Sequence, residues 1–312
     1  MDDNNWNFEE TRQSDFSNSE IAGFIKPYYP SVKEEKLNLL HHGSFNVYEI
    51  DGFIFRIPDK TLFNKKGFDL IQRETKKLSF LKNKLKLKIP EPLFVSKSPE
   101  LPIVGYNKIP GSSIEKIWDK IPANKKNSIA REIGIFLKQF HSQDLAEKFI
   151  REFKPNISSY LDIKDIYENI FNKTRELIYP LLKKELIDKI EQLFINYFNE
   201  LNSKKFTVCL THQDFDTSNI LIDEETFEII GIIDFEETDI GDPAYDLIFW
   251  NQGITFQESL LKTYNEKTDP YLEARILFYY KRSGIPYMLY GIENNLPDMI
   301  TYGKFLLEKR IK

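Results

Sequence analysis

The spacing of apolar residues changes at Pro110-Gly111, and this change limits the possible folds more than any other feature of the sequence. Before it, apolar residues occur in short runs, and the pair Asp51-Gly52 separates the runs 47–50 and 53–57. An Asp-Gly pair between two such runs predicts a tight β-hairpin. After it, apolar residues recur at helical spacing, most clearly over 129–140. The chain is therefore predicted to form a β-rich unit followed by a larger, mainly helical unit, which is an α+β fold.

Further elements can be predicted within each part. Ser17 or Ser19 is a suitable N-cap for a short helix that ends at Pro27, and the periodic run 70–81 predicts a longer helix. The remaining predictions are strands at 93–95 and 103–106, a helix at 186–201, and a strand region at 206–234 with a hairpin around 223–225. A cleft between a small sheet and a helical part is a common place for a ligand.

Composition and charge exclude several classes of function. The 312 residues carry a net charge of −5, whereas nucleic-acid-binding domains are usually basic, so nucleic acid is not an expected partner. No apolar run approaches the ~20 residues that a membrane helix needs, and the sequence starts with acidic residues, unlike a signal peptide. Cys209 is the only cysteine, which excludes an internal disulfide and favours a reducing compartment. We therefore expect a cytoplasmic protein with no membrane contact and no obligate protein partner.

The clearest chemical pattern is Thr-His-Gln-Asp-Phe-Asp-Thr-Ser-Asn at 211–219. Apolar strands are predicted on both sides of it, and a second carboxylate, Asp234, follows the next predicted strand. Phosphoryl transfer requires mainly positioning and charge neutralisation. One requirement is a carboxylate that orients the acceptor hydroxyl and takes its proton, for which Asp214 is the candidate. The other is Mg²⁺, which prefers hard oxygen ligands, and Asn219 and Asp234 are the candidate ligands.

A purely structural explanation exists for each of these residues. Asp214 and Asn219 could cap turns, and Asp234 could end a strand. The occurrence of all three in this order, between apolar strands, favours the catalytic interpretation. His212 is predicted to hold the loop through hydrogen bonds rather than to transfer a proton.

Three segments together resemble the aminoglycoside phosphotransferase family: the loop 212–219, Ile-Asp-Phe at 233–235, and Ile-Gly-Asp-Pro-Ala-Tyr-Asp-Leu at 240–247. Glu236 stands where protein kinases have the glycine of Asp-Phe-Gly, a departure that the antibiotic kinases tolerate. The resemblance extends over most of the chain, and the tail 279–312 is similar in character to the 2″-aminoglycoside phosphotransferases. It implies a protein-kinase-like fold with two lobes. The lobe at 1–110 is a small antiparallel sheet that binds nucleotide, and the lobe at 111–312 carries the catalytic loop and the substrate site.

The resemblance also assigns roles in the first lobe, where the expected nucleotide-binding residues are Gly43, Ser44, Arg56, Glu74, Asn107 and Ile109. Arg56 stands where this fold places its phosphate-binding lysine, and its fixed fork differs in geometry from a lysine point charge. Glu74 lies on the apolar face of its predicted helix, and a buried charge is costly unless it is paired. We therefore expect Glu74 to pair with Arg56, the alternative being a solvated carboxylate at the edge of that face. The segment 106–111 is the expected hinge, with backbone groups near the base.

The activity implied by the resemblance is an O-phosphotransferase that moves the γ-phosphate of ATP or GTP to a hydroxyl of a small molecule with Mg²⁺. An aminoglycoside is the leading substrate, and the candidate contacts for such a cation are Asp216, Glu236, Glu237 and Glu293. The segment 247–252 is apolar and then neutral, where the antibiotic kinases are more acidic. A macrolide, a sugar or an amino alcohol is therefore an alternative substrate. A pseudokinase is a third possibility, favoured only by Arg56 and opposed by the retained Asp214, Asn219 and Asp234.

Overall fold

The computed structural model describes residues 14–203, 205–264 and 269–311. Within these residues the strands are β1 (Asn38–His42), β2 (Phe45–Ile50), β3 (Phe53–Pro58), β4 (Pro92–Val95), β5 (Val104–Asn107), β6 (Ser112–Ser113), β7 (Cys209–Thr211), β8 (Ile220–Ile222), β9 (Ile229–Ile232) and β10 (Asp239–Gly241). The α-helices are α1 (Asn18–Ile25), α2 (Lys65–Leu81), α3 (Ile114–Ile117), α4 (Ala123–Phe140), α5 (Gln143–Phe153), α6 (Tyr160–Lys173), α7 (Lys184–Ser203), α8 (Ile254–Tyr264), α9 (Leu272–Lys281), α10 (Gly284–Glu293) and α11 (Pro297–Arg310). The acidic start of the chain lies outside the described residues.

The first five strands form an antiparallel sheet with the order β1-β2-β3-β5-β4. The turn between β2 and β3 is the predicted hairpin: Asp51 and Gly52 have φ values of 47° and 83°, both positive as a type I′ turn requires. Because side chains alternate along a strand, Phe55 and Ile57 pack with α1 on one face. Arg56 lies on the other face, over the ring of Phe45. The hairpin register thus directs Arg56 away from the α1 core.

Two helices pack against this sheet where the sequence predicts them. Ser17 and Glu20 form a capping box at the start of α1, so Ser17 is the cap that the helix uses. The second helix, α2, begins after Asn64, which caps it, and therefore starts earlier than the predicted position 70. Its buried face includes Glu74, as the apolar pattern predicted.

A smaller sheet, of order β6-β8-β9, belongs to the same compact unit, which comprises the chain as far as Trp118 together with 217–237. The β8–β9 hairpin lies where it was predicted. In its turn the side chain of Asp223 accepts the N–H groups of Glu225 and Thr226 at 2.9 and 2.8 Å. This unit contains chain from both sides of residue 110, and the functional lobe boundary at 110/111 stays a prediction.

The other compact unit comprises 119–216 and the chain from Thr238 onward, and it is mainly helical. Helices α4 and α8 approach closely at Gly134, where a side chain would lie 2.8 Å from the carbonyl oxygen of Leu260. Aromatic residues fill the core, as in the stack of Tyr197 on Phe278 with 3.8 Å between ring centroids. Strands β7 and β10 pair within this unit, and β7 leads into the loop that carries the candidate catalytic residue. Across the described ranges, no helix has the length and apolar character to pass through a bilayer.

Candidate active site

The loop that follows β7 is fixed by one buried carboxylate. Asp246 accepts hydrogen bonds from the backbone N–H of His212 at 2.6 Å and of Gln213 at 2.9 Å. Gln213 has a φ of 68°, a left-handed conformation that a non-glycine residue keeps only with such support. The same carboxylate lies 3.1 Å from Nε2 of His141, whose Nδ1 is 3.0 Å from the hydroxyl of Tyr264. The fold therefore fixes the backbone just before the candidate catalytic residue.

Phe215 anchors the middle of the same loop. Its ring stacks on Phe136 with 5.6 Å between centroids and meets His212 edge-on at 5.5 Å. Asp214 and Asp216, on either side of the buried Phe215, are exposed. Both carboxylates thus reach solvent from a loop whose backbone is held on each side, which suits a group that orients a substrate.

The Gly-Asp-Pro-Ala-Tyr-Asp segment has a structural role that sequence analysis did not assign. Asp242 accepts hydrogen bonds from Nε and Nη2 of Arg275 at 2.7 and 3.1 Å and from the hydroxyl of Tyr279 at 2.8 Å. It also caps the short 3₁₀ helix Pro243–Leu247, which contains Asp246. A buried hydrogen-bond network therefore supports the turn that presents Asp246 to the catalytic loop.

The candidate metal ligands lie at the same end of the β8–β9 hairpin. The carbonyl of Asn219 accepts the N–H of Ile233 at 3.0 Å, which brings the backbone of Asn219 next to that of Asp234. Asp234 has a φ of 66°, and within the described residues its buried Oδ1 has no hydrogen-bond partner. A buried carboxylate oxygen is costly unless it is paired or binds a metal. One open carboxylate oxygen and a neighbouring amide suit Mg²⁺, which takes few protein ligands and keeps several waters, so these residues fit the ion.

Arg56 is surrounded by three carboxylates. Its Nη1 donates to Glu74, the pair that the sequence predicted, and its Nη2 donates to Oε2 of Glu236 at 2.6 Å. Oδ1 of Asp234 lies 3.6 Å from Nη1. Burial raises the pKa of Glu74 to about 7; the charge of Arg56 opposes this rise, and the other carboxylates add to it. Burial works against the charged guanidinium, but the surrounding carboxylates outweigh it and keep the pKa of Arg56 above its ordinary value.

Lys77 is a second buried cation on the same helix face as Glu74. Its Nζ donates to the backbone carbonyl of Glu236 at 2.7 Å. Helix α2 therefore contacts the segment 234–236 directly through Lys77 and indirectly through Arg56. Sequence analysis did not identify this residue, although its position three residues after Glu74 places both on one face of a helix.

The candidate nucleotide loop and hinge belong to the same compact unit as Arg56. The N–H of Gly43 donates to the carbonyl of the first residue of β2 at 3.1 Å. The carbonyl of Ser44 accepts the N–H of the residue after β3 at 3.0 Å. Asn107 ends β5, and Ile109 packs closely over the backbone of β9. The contact of these four residues with a nucleotide stays a prediction.

The four candidate substrate contacts have different surroundings. Asp216 is exposed on the loop described above, and Glu237 is exposed after the Asp-Phe-Glu segment. Glu236 is held by the guanidinium. Glu293 forms an ion pair of 2.9 Å with Lys173 at a pocket of about 390 Å³ between α6 and α10. Substrate contact stays a prediction for all four.

Tyr287 of α10 is an aromatic neighbour of the exposed carboxylates that sequence analysis missed. Burial raises its pKa to about 12, and the nearby Tyr302 and the charges of Asp216 and Asp214 add to the rise. Its ring meets Tyr302 edge-on with 4.9 Å between centroids, and 38% of the residue remains exposed. The hydroxyl of Tyr287 therefore lies within electrostatic range of Asp214 and Asp216.

Comparison with known proteins identifies the family. Residues 38–278, well over half of the chain, match the sequence model of the family described as "Phosphotransferase enzyme family". This chain belongs to that phosphotransferase family. No curated protein matches this phosphotransferase.

Solved structures establish the fold of the phosphotransferase. It is similar to the GDP complex of wild-type aminoglycoside 2'-phosphotransferase-IIIa, with a TM-score of 0.83 and 21% identity over 95% of this chain and 99% of that chain. The GDP and kanamycin complex of APH(2'')-IIIa gives a TM-score of 0.80 and 22% identity over 93% and 98% of the two chains. The macrolide 2'-phosphotransferase MphH from Brachybacterium faecium gives a TM-score of 0.70 and 16% identity over 93% of this chain and 98% of that chain. The predicted protein-kinase-like fold is therefore confirmed.

Proposed function

We propose that this phosphotransferase transfers the γ-phosphate of ATP or GTP to a hydroxyl of a small molecule, and that the acceptor is an aminoglycoside. The observation that carries the proposal is the buried Arg56–Glu74 pair beside the open oxygen of Asp234. A fixed cation next to a metal-binding carboxylate is the arrangement that positions a triphosphate for transfer. A merely structural ion pair does not require Oδ1 of Asp234 to be buried without a hydrogen bond, 3.6 Å from Nη1 of Arg56.

In this mechanism, each residue contributes positioning or charge. Arg56 donates hydrogen bonds to phosphate oxygens while Glu74 holds its side chain. Bound Mg²⁺, held by Asn219 and Asp234, supplies charge neutralisation at the phosphates. Asp214 accepts the proton of the acceptor hydroxyl and orients its oxygen for direct in-line attack on the γ-phosphorus. The bond from the γ-phosphorus to the bridging oxygen breaks, and the nucleoside diphosphate leaves, so no covalent phospho-enzyme is needed.

The donor is a purine nucleoside triphosphate. Among the similar structures, two complexes of one aminoglycoside enzyme, APH(2'')-IIIa, contain GDP, APH(2'')-Ib contains ADP, and one APH(2'')-IIa complex contains ATP. The hinge of this chain, with Asn107 and Ile109, therefore receives either base in the proposal.

The acceptor is a polycationic sugar. Asp214 and Asp216 provide two exposed carboxylates on one loop, and the related APH(2'')-IIIa and APH(2'')-IIa structures contain kanamycin and gentamicin. The partly exposed ring of Tyr287 also offers an apolar face, which favours a macrolide as the second candidate because MphH acts on that class. Sugars and amino alcohols complete the set of acceptors to be tested.

The proposal is tested by product analysis with ATP and with GTP, in the presence of Mg²⁺. Kanamycin, gentamicin, a macrolide and simple amino alcohols are each incubated with the enzyme, and the acceptor is examined by mass spectrometry for one added phosphoryl group. A phosphorylated aminoglycoside is the expected product. If only another acceptor gains a phosphoryl group, that acceptor replaces the aminoglycoside as the proposed substrate. Nucleotide binding without any product supports the pseudokinase alternative.

A further inference from the structure

Glu236 occupies the donor of Arg56 that the proposed function reserves for a phosphate. The two Nη atoms of Arg56 are both engaged, Nη1 with Glu74 and Nη2 with Glu236 at 2.6 Å. Carboxylate and phosphate oxygens bind the guanidinium fork in the same way, so they compete for the same N–H groups. A triphosphate that takes the N–H group of Nη2 now donated to Glu236 must displace that carboxylate.

The two carboxylates differ in how easily they can leave. The side chain of Glu74 is 4% exposed and lies on the buried face of α2, whereas the side chain of Glu236 is 31% exposed. An exposed carboxylate is compensated by water when its partner is lost, and a buried one is not. Glu236 is therefore the replaceable partner of Arg56, and Glu74 is the permanent one.

The backbone of Glu236 is held independently of its side chain. Lys77 donates to its carbonyl at 2.7 Å, and this contact does not depend on the position of the carboxylate. The side chain can therefore move away from Arg56 while the segment that carries Asp234 stays attached to α2.

We propose that Glu236 is a gate for nucleotide binding, a carboxylate that fills the phosphate position on Arg56 in the free protein and is displaced by the triphosphate. This inference rests on the proposed function, because it takes Arg56 as the phosphate-binding residue. The gate lowers the affinity for nucleotide and protects Arg56 from other anions.

The test measures nucleotide affinity rather than turnover. GTP and ATP are titrated by calorimetry into the wild type, Glu236→Gln and Glu236→Ala, each with and without Mg²⁺. Loss of one charge-assisted hydrogen bond to the competing group is expected to tighten binding by about tenfold in both variants, whether or not Mg²⁺ is present. Glu91→Gln is the matched control, since it removes the same charge from an exposed side chain that pairs with Lys82 instead of Arg56. The nucleotide affinity of this variant is expected to stay near that of the wild type.

Unchanged affinity in both Glu236 variants overturns the gate. Weaker binding that appears only with Mg²⁺ also overturns it and assigns Glu236 to the metal instead. Thermal unfolding of each variant confirms that it is folded, and the Ala substitution provides a second variant if the Gln substitution fails to fold. If the Glu236 variants bind nucleotide more tightly but no protein transfers phosphate to an acceptor, the proposed function is wrong and the gate is supported. If no variant binds nucleotide, both are wrong.

Discussion

The carboxylate of Asp246 accepts the backbone N–H of His212 at 2.6 Å, although 34 residues separate them in the chain. The same carboxylate also accepts the N–H of Gln213. An ionised carboxylate can accept several hydrogen bonds in this way, whereas an amide has one acceptor atom and an NH₂ group that only donates. The loop that carries Asp214 therefore depends on the hydrogen bonds of a buried residue that is not one of the candidate substrate contacts.

Asp246→Asn is expected to reduce both stability and turnover. One buried N–H group of the loop loses its acceptor, at a cost of roughly 1–3 kcal/mol, and the position of Asp214 becomes less fixed. The free energy of unfolding from urea titration and kcat check this prediction. The matched control is Asp144→Asn, which removes an exposed carboxylate that pairs with Lys148 on α5. Equal effects of the two substitutions contradict the role of Asp246.

Asp214→Asn is expected to retain nucleotide binding and to lower kcat by about 10²- to 10⁴-fold, the usual contribution of a general base. Asp216→Asn, on the other side of the buried Phe215, is expected instead to raise KM for a cationic acceptor with a smaller change in kcat. Steady-state kinetics and calorimetry with nucleotide distinguish the two effects. If Asp214→Asn keeps wild-type kcat, the assignment of the base is wrong.

Arg56→Met is expected to destabilise the protein by roughly 3–5 kcal/mol, because it leaves the buried carboxylate of Glu74 without its cation. The double variant Arg56→Met/Glu74→Leu is expected to recover most of this stability while still failing to bind nucleotide tightly. Chemical denaturation gives the coupling between the two positions. Arg73→Met, on the exposed face of the same helix, controls for the loss of a cation. Additive effects of Arg56→Met and Glu74→Leu would contradict a coupled pair.

The stability of the nucleotide-free protein is expected to depend on pH through Glu74. Burial raises its pKa from the ordinary 4.5 to about 7, so the folded state binds this proton more tightly than the unfolded state does. Its contribution to stability is therefore complete below pH 4.5 and is lost as the pH rises through about 7. Glu74→Gln removes this contribution, so Tm should fall less between about pH 5 and 8 in the variant than in the wild type. Glu237→Gln should keep the wild-type dependence, and an identical dependence in Glu74→Gln would refute the shift.

Elements that depend on local signals could be predicted from the sequence. The β2–β3 hairpin needs only the chemistry of Asp51-Gly52, and α2 is visible in its apolar spacing. The burial of Glu74 could be predicted from the apolar spacing of its helix, and a buried charge requires a partner of opposite sign. The resemblance to the phosphotransferase family implied that this partner is Arg56.

Contacts between distant segments could not be predicted in the same way. Glu236 contacts Arg56, although 180 residues separate them in the chain. The local sequence after Asp234 is equally compatible with an acidic residue that contacts substrate. The sequence around Tyr287 does not indicate whether its ring lies near Asp214 or in the core. These positions follow from tertiary packing and not from local spacing.

The proposed transfer of a γ-phosphate to a hydroxyl, with Asp214 as the base, can be measured by following labelled γ-phosphate. Wild type and Asp214→Asn are incubated with γ-labelled GTP or ATP, Mg²⁺ and kanamycin, and the label on the aminoglycoside is counted. Label is expected on kanamycin with the wild type, and at least about a hundredfold less label is expected with the variant. Equal labelling by both proteins, or release of label only as inorganic phosphate, would contradict it.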